Sequence, residues 1–501
     1  MIARFFRNDA SPAAPARATL RDVASEPWDL ICVGGGMAGL CASNRAWQLG
    51  LCAIVLEAGV EDIYACNTRR SGGAIHCCMA DITDPEETIL ERIRRDTAGA
   101  ARPDLAAAIA RDGRRAVQWL RAEGAHFIRV ALTGQNHVLA PPRPARPGWH
   151  WEGRGPDVLV RRLGANLARR GGHLVRGARV TELLMRDGAC VGVVAQCGGD
   201  SYRLTARAVL VADGGFQASP DLMRRFVSPA PEKVQPRNAQ TGRGDGFRMV
   251  EAVGGHFAGR ESGFYGHIMA RESFDDPRLS PYPFVDTLAC AGMIVHHDGT
   301  RFTDEGRGGT FVANEMARLA DPTDAVVIFD QAIWDGPGTR KALPPNPIFP
   351  LSGGHIIMAD SIRDLAARAG IDAMRLEATV ATFNAHVRDG RSDALPVPRS
   401  VKKIPAYPLL HPPFGAILAC PGITYTMGGI AIDGHACVLN DADLPIPGLY
   451  AAGAATGGLD GGPYSGYVGG LSKAATFGLR AAEHACTYIT GSPAPQRIVA
   501  A

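Results

Sequence analysis

Hydrophobic and polar positions along the chain fall into two periods. Asp29-Leu-Ile-Cys-Val33 is a short apolar run, Met37 to Leu49 carries helical spacing, and Ala53-Ile-Val-Leu56 is apolar again. Strand-length runs around a helix predict a βαβ unit that starts at Trp28. A second strand-rich block covers Arg179 to Met185, a turn at Asp187-Gly188, Val191 to Gln196, and Ala208 to Ala212. From about Gly255 to Pro421, Pro and Gly interrupt the pattern, as in Leu343-Pro-Pro-Asn-Pro-Ile-Phe-Pro350. Within it a helical pair is predicted at Ile362 to Ala369 and Arg375 to Asp389, broken at Gly370. The last stretch, Pro447 to Ile489, returns to strand, Gly-rich loop and a helix from Ser472 to Ile489. This order predicts one α/β domain split by an inserted α+β domain. The expected boundaries are 28–257 and 426–490 for the split domain and 258–425 for the insertion. Residues 1–27 and 491–501 are expected to be loose tails.

Composition narrows the function classes. The 501 residues are 46% hydrophobic and 21% charged, which is ordinary for a globular chain. Lys+Arg 53 against Asp+Glu 50 leaves +3, with no long basic run, so no nucleic-acid partner is expected. Lys supplies only five of the basic residues; the Arg skew, with abundant Ala, points to a GC-rich genome rather than to a function. Twelve Cys are too few for a disulfide scaffold, and none form C-x-x-C, so no metal site, iron–sulfur cluster or c-type haem is expected. Cys32, Cys41 and Cys52 are expected as small buried hydrophobes. Adjacent Cys77 and Cys78 offer redox chemistry as an alternative to packing. No apolar stretch reaches membrane length, and residues 1–27 lack a signal-peptide core, so a soluble, cytoplasmic protein is expected.

The chemistry begins at Gly34-Gly-Gly36-Met-Ala-Gly39, a G-x-G-x-x-G string directly after a strand and opening a helix. Gly34 makes the tight turn, Gly36 admits a pyrophosphate, and Gly39 lets helix and strand pack closely. The helix N-terminus presents unpaired N–H groups to the phosphates. Glu57, just past the second strand, suits two ribose hydroxyls and disfavours a 2′-phosphate, which leaves FAD or NAD. Two further Gly-rich stops follow strands, at Val209-Leu-Val-Ala-Asp-Gly-Gly215 and Gly448-Leu-Tyr-Ala-Ala-Gly453. Several such close approaches suit an extended FAD.

With these residues the chain resembles the flavoprotein superfamily of fumarate reductase and 3-ketosteroid Δ1-dehydrogenase, with tricarballylate dehydrogenase nearby. The matching strings run in order from Trp28 to Ile489. They are Val33-Gly-Gly-Gly-Met-Ala-Gly39, Glu57, Ser71-Gly-Gly73, Thr241-Gly-Arg-Gly-Asp-Gly246, Asp298-Gly-Thr-Arg-Phe-Thr-Asp-Glu305, Ala359-Asp-Ser-Ile-Arg-Asp-Leu-Ala366, Thr426-Met-Gly-Gly429 and Pro447-Gly-Leu-Tyr-Ala-Ala-Gly453. The resemblance implies a Rossmann-type FAD domain interrupted by a smaller capping domain, with substrate between cap and flavin. It implies hydride transfer at one carbon and proton transfer at its neighbour. By the same likeness Gly34, Gly36, Met37, Ala38, Gly39, Glu57 and Ala58 would hold the ADP half. Ser71, Gly72, Gly73, Ala74, Val180, Ala212, Asp213, Gly214, Asp245, Gly453, Val468 and Leu471 would lie near the rest of FAD. Some relatives attach FAD through a His; His76 follows the Gly-Gly rather than preceding it, so non-covalent FAD is expected.

The departures from that pattern bear on substrate. Where fumarate reductases carry His before Thr-Met-Gly-Gly, this chain has Tyr425. Where they carry a carboxylate-clamping Arg before the last Gly-Gly, it has Tyr467. Where they carry the proton-donating Arg, it has Gly309, with Arg307 two residues earlier. Losing those guanidinium groups points away from a dicarboxylate. Tyr464-Ser-Gly466 resembles the Tyr-Ala-Gly of ketosteroid dehydrogenases, whose Tyr polarises a ketone with help from a backbone N–H, here that of Val468. The expectation is therefore an FAD-dependent enzyme that desaturates a cyclic or otherwise activated ketone at its α,β bond. Tyr464 would polarise the carbonyl, and Tyr425, Tyr467, Tyr265 or His355 would serve as base; His267, near Tyr265 early in the cap, is a further candidate catalytic or substrate-contacting residue. Trp149-His-Trp151 is a candidate pocket wall. Two alternatives stay open: a carboxylate dehydrogenase or reductase using Arg307, and a non-catalytic flavin-binding protein. Electrons would leave to a separate acceptor such as O2 or a quinone.

Overall fold

The computed structural model describes residues 18–130, 135–142, 148, 150–259, 263–340, 343–401 and 404–495. Trp28–Val33 is the centre of an eight-stranded sheet. It pairs in parallel with Ala53–Glu57 on one side and Asp200–Val211 on the other, aligning Val33 with Leu56 and with Val211. His173–Arg176 extends the sheet beyond Ala53–Glu57, and Pro445–Ala451 joins beside Asp200–Val211. Trp28–Val33 and Ala53–Glu57 are buried along nearly their whole length, with helices Met37–Gln48 and Gly470–Thr490 packed against them or their neighbours, as in the interior of a parallel sheet. The hairpin Arg179–Arg186 to Ala189–Cys197 turns at Asp187-Gly188, with φ of 52° and 78°. Two left-handed residues suit an Asp-Gly hairpin turn, as the sequence predicts.

Helix Met37–Gln48 crosses between the first two strands, and the C-terminal helix Gly470–Thr490 lies against it. A side chain at Gly478 would come within 2.6 Å of the Ala38 carbonyl oxygen, so glycine sets that close crossing. The predicted helical pair is present as Ile362–Ala369 and Ala373–Arg388, with Gly370 left-handed at φ 71° and Asp372 capping the second helix.

The inserted domain has its own six-stranded sheet and its own apolar core. Phe264–Ala270, Phe414–Thr426, Val326–Asp330 and Met293–Val295 are antiparallel neighbours in that order. Two findings differ from the expected boundaries. Gln235–Pro236 pairs with Gly422 and Ile423 of the cap sheet, and Met223 and Val234 pack into the cap core, so the chain touches the cap before residue 258. At the start, residues 18–27 are not a loose tail. Thr19 caps the turn Leu20–Val23, Leu20 and Val23 are buried, and the Trp28 indole donates to the Val23 carbonyl. Trp149, residues 1–17 and residues 496–501 lie outside the described residues.

The Arg-Phe string of the cap is structural. Arg301 pairs with Glu305, both buried, and Arg399 lies beside the same carboxylate. Removing one member of such a pair costs about 3–5 kcal/mol. All twelve cysteines are free; Cys32 and Cys41 are buried as expected, whereas Cys52 is exposed. The Cys77 and Cys78 sulfurs stand 3.9 Å apart. Among the described residues no helix is long and apolar enough to cross a membrane, and no group of His, Cys, Asp or Glu is placed to hold a metal ion.

Candidate active site

A cavity of about 920 Å³ runs from the carboxyl ends of the first sheet's strands to the cap sheet. One half is a cradle of backbone. Gly34 has φ 104°, and a side chain there would meet the Ala212 carbonyl oxygen at 2.5 Å. Gly36 opens helix Met37–Gln48 with no side-chain cap, so the helix N-terminus faces the cavity with donors to spare. The Met37 N–H is held by Thr68 Oγ1 at 3.0 Å. Gly39 does not line the cavity; a side chain there would sit 2.1 Å from the Gly34 oxygen, so its role is packing.

Glu57 accepts the N–H groups of Gly35 and Gly59, both at 2.7 Å, which fixes its carboxylate at the cavity wall. Burial raises its pKa, while these two backbone donors oppose the rise. Burial likewise pushes Asp213 up to about 7, against a hydrogen bond from the Gly246 N–H. Asp213 Oδ1 and Gln217 Oε1 are buried with no partner. Ser71, Gly72, Gly73, Ala74, Ala58, Val180, Ala212, Gly214, Gly453 and Leu471 complete this half, and Asp245 does so paired with Arg179 at 2.9 Å. A helix end whose Gly36 supplies no cap, an anchored carboxylate and two orphaned acceptors match a dinucleotide's phosphates and hydroxyls.

The other half is aromatic. Tyr265 and His267 lie two apart on Phe264–Ala270, so both face one side of the strand. Tyr425 stands opposite Tyr265 on the neighbouring strand. The Tyr467 ring stacks on Tyr265, with centroids 3.8 Å apart and planes at 14°. Phe284 stacks on His267 at 4.1 Å and 15°. Three groups then form a chain: Asp286 Oδ2 lies 2.6 Å from His267 Nδ1, and His267 Nε2 lies 3.3 Å from the Tyr265 hydroxyl. Asp286 is itself held by the Ile268 N–H at 2.7 Å. Burial lowers the His267 pKa, opposed by Asp286, which favours a neutral ring. Burial, with the neighbouring Tyr467, raises Tyr265 well above an ordinary phenol. A neutral ring donating from Nδ1 to Asp286 leaves Nε2 as an acceptor facing the phenol.

Tyr467 accepts the Gly470 N–H at 3.2 Å, so its own hydroxyl proton remains available. Tyr425 is tied 3.5 Å from Asp460, which pairs with buried Lys473 at 2.8 Å. His76 lines the cavity edge-on to Tyr467, its pKa lowered by burial to about 4.

Three expected catalytic residues stand elsewhere. Tyr464 is 40% exposed and outside the cavity lining, with the Arg307 guanidinium 3.5 Å above its ring. Arg307 also pairs with Asp304 at 3.3 Å and does not line this cavity. The Val468 N–H is spent on Asp460 Oδ1 at 2.8 Å and is no free donor for a ketone oxygen. His355 is exposed, its backbone N–H bonded to Glu272. Sequence reasoning also missed Asp286 and Arg237. Each is one acid or base among many, and only the strand pairing of the cap brings them to the wall.

A family profile described as an FAD binding domain matches residues 29–466. The chain belongs to this family. It is a flavoprotein oxidoreductase by that membership. The fumarate reductase (cytochrome) of Shewanella frigidimarina is 29% identical over 497 residues, covering 96% of this chain and 80% of the relative. The 4-oxocyclohexanecarboxylate 2-dehydrogenase of Sinomonas cyclohexanicum is 26% identical over 544 residues, covering 91% and 92%. Among solved structures, 3-ketosteroid Δ1-dehydrogenase from Sterolibacterium denitrificans shares the fold at a TM-score of 0.71 and 20% identity, over 92% of this chain and 99% of that one. The suspected superfamily is therefore borne out.

Proposed function

We propose that this FAD enzyme acts on the CH–CH bond of a cyclic ketone, taking the α-proton through Tyr265 in the direction of desaturation. The observation that carries the proposal is the Tyr265–His267–Asp286 chain opening into an aromatic cavity beside the dinucleotide cradle. Its proton path balances. The Tyr265 oxygen takes the substrate α-proton as the Tyr265 proton passes to His267 Nε2, and Asp286 stabilises the resulting imidazolium. The Tyr467 hydroxyl, held by Gly470, donates to the carbonyl oxygen, where negative charge develops. Tyr265, Tyr467 and Phe284 give this end of the cavity an aromatic wall suited to an apolar ring. When bound, FAD supplies two-electron redox chemistry at the neighbouring carbon. A relative named for 4-oxocyclohexanecarboxylate supports a ring ketone.

FAD is held without a covalent bond in this proposal, with Glu57, Asp213 and the Gly36 helix end as its polar contacts. Its electrons pass to a separate acceptor. The test is anaerobic titration of the holoenzyme, following the flavin absorbance band, with saturated cyclic ketones and, in parallel, saturated di- and tricarboxylates. Bleaching by ketones is expected; bleaching by the carboxylates alone overturns the proposal. Acid precipitation should leave the flavin in the supernatant.

A further inference from the structure

Arg237 is a buried cation in the aromatic half of the cavity, only 5% exposed. Its Nε and Nη2 donate to the Pro281 carbonyl at 3.1 and 2.9 Å, and Nη1 donates to Thr424 Oγ1 at 2.9 Å. A guanidinium has five N–H donors, so these bonds leave two unused. No described carboxylate forms an ion pair with it. Asp286, an acid beside His267 in the same region, is committed to His267 and to the Ile268 N–H. The faces of Tyr282 and Phe284 lie 5.3 and 5.8 Å from the Arg237 carbon. Ring faces and neutral acceptors soften the cost of burying a charge without cancelling it.

A charge buried at such cost, with donors to spare beside a cavity, calls for an anion that arrives with a ligand. The dinucleotide's phosphates belong at the Gly36 helix end, on the first sheet. Arg237 instead makes its contacts with the cap segments that carry Tyr282, Phe284 and Thr424. We infer that Arg237 anchors a carboxylate on the substrate, so that the substrate is a cyclic keto acid carrying one anionic group. This rests on the ring-ketone proposal above and narrows it. The positions where fumarate reductases are expected to carry their arginines hold Tyr467 and Gly309, so a single guanidinium in a different place serves one carboxylate rather than two.

The test uses unreactive probes, so it reads the anion site apart from turnover. Benzoate and benzamide are titrated into the holoenzyme, and binding is followed by the flavin difference spectrum. The wild type should bind benzoate about 10- to 100-fold tighter than benzamide. Arg237→Met should abolish that preference while benzamide binding holds. Equal affinities in the wild type, or a benzoate preference that survives Arg237→Met, overturns the inference. Should Arg237→Met fail to retain FAD, Arg237→Lys keeps the charge and loses the planar fork. A weakened preference for benzoate is then expected, and an unchanged one overturns the inference. If no cyclic ketone bleaches the flavin while benzoate still depends on Arg237, the ring-ketone proposal fails and the anion site stands.

Discussion

Asp286→Asn isolates the proton path with little change of shape. Asn keeps an oxygen for the Ile268 N–H, now 2.7 Å from Asp286 Oδ1, so residue 286 stays joined to strand Phe264–Ala270. The other oxygen, 2.6 Å from His267 Nδ1, becomes an amide NH2. Two donors cannot face each other, so His267 shifts its proton to Nε2 and presents Nδ1 to the new amide. Nε2 then donates toward the Tyr265 oxygen, 3.3 Å away, and no longer accepts its proton. The loss combines a charge-assisted bond replaced by a neutral one with a misplaced tautomer. The first alone is worth about 1–2 kcal/mol, or roughly 5- to 30-fold in rate. With the tautomer added, flavin reduction should slow by about 100-fold or more. Stopped-flow reduction under anaerobic conditions reads this step directly, and benzamide binding checks that the cavity is intact. A variant that folds, binds benzamide and reduces its flavin within threefold of wild type refutes the proton path.

Two further perturbations address the cradle. Gly39→Ala places a methyl group 2.1 Å from the Gly34 oxygen, so the phosphate turn must open; purified protein should carry less than a tenth of the wild-type flavin per chain, read by absorbance. In FAD-free protein, Asp213 has a pKa raised to about 7 from 3.8, chiefly by burial. A raised carboxyl binds more protons folded than unfolded between those values, so it lowers stability as pH rises from about 4 to 7, by up to about 4 kcal/mol. Asp213→Asn should therefore flatten the fall in urea midpoint over that window and raise it at pH 8, with little change at pH 4. An unaltered pH slope would show that Asp213 is charged and partnered in the folded chain.

Much of the cradle was legible because its demands are local. Gly34, Gly36 and Gly39 answer to one turn and one helix start, and Glu57 follows from the end of the second strand. The Asp187-Gly188 hairpin and the Gly370 break are legible for the same reason. The aromatic half resisted because it is assembled across the cap sheet. Tyr265 and Tyr425 come opposite each other through strands about 160 positions apart in the chain. Arg237 and Asp286 sit in no motif, and nothing in their spacing separates them from surface charges. Tyr464 misled because its Gly-rich neighbourhood resembles a ketone site, while its ring is taken up by Arg307 at the surface.

The most direct measurement sets Tyr265→Phe beside Tyr464→Phe in anaerobic flavin reduction by a cyclic keto acid. The account predicts that Tyr265→Phe slows reduction by about 100-fold or more, within the range of a lost acid–base group, while Tyr464→Phe stays within threefold of wild type. The reverse order, with Tyr464→Phe crippled and Tyr265→Phe active, would contradict it.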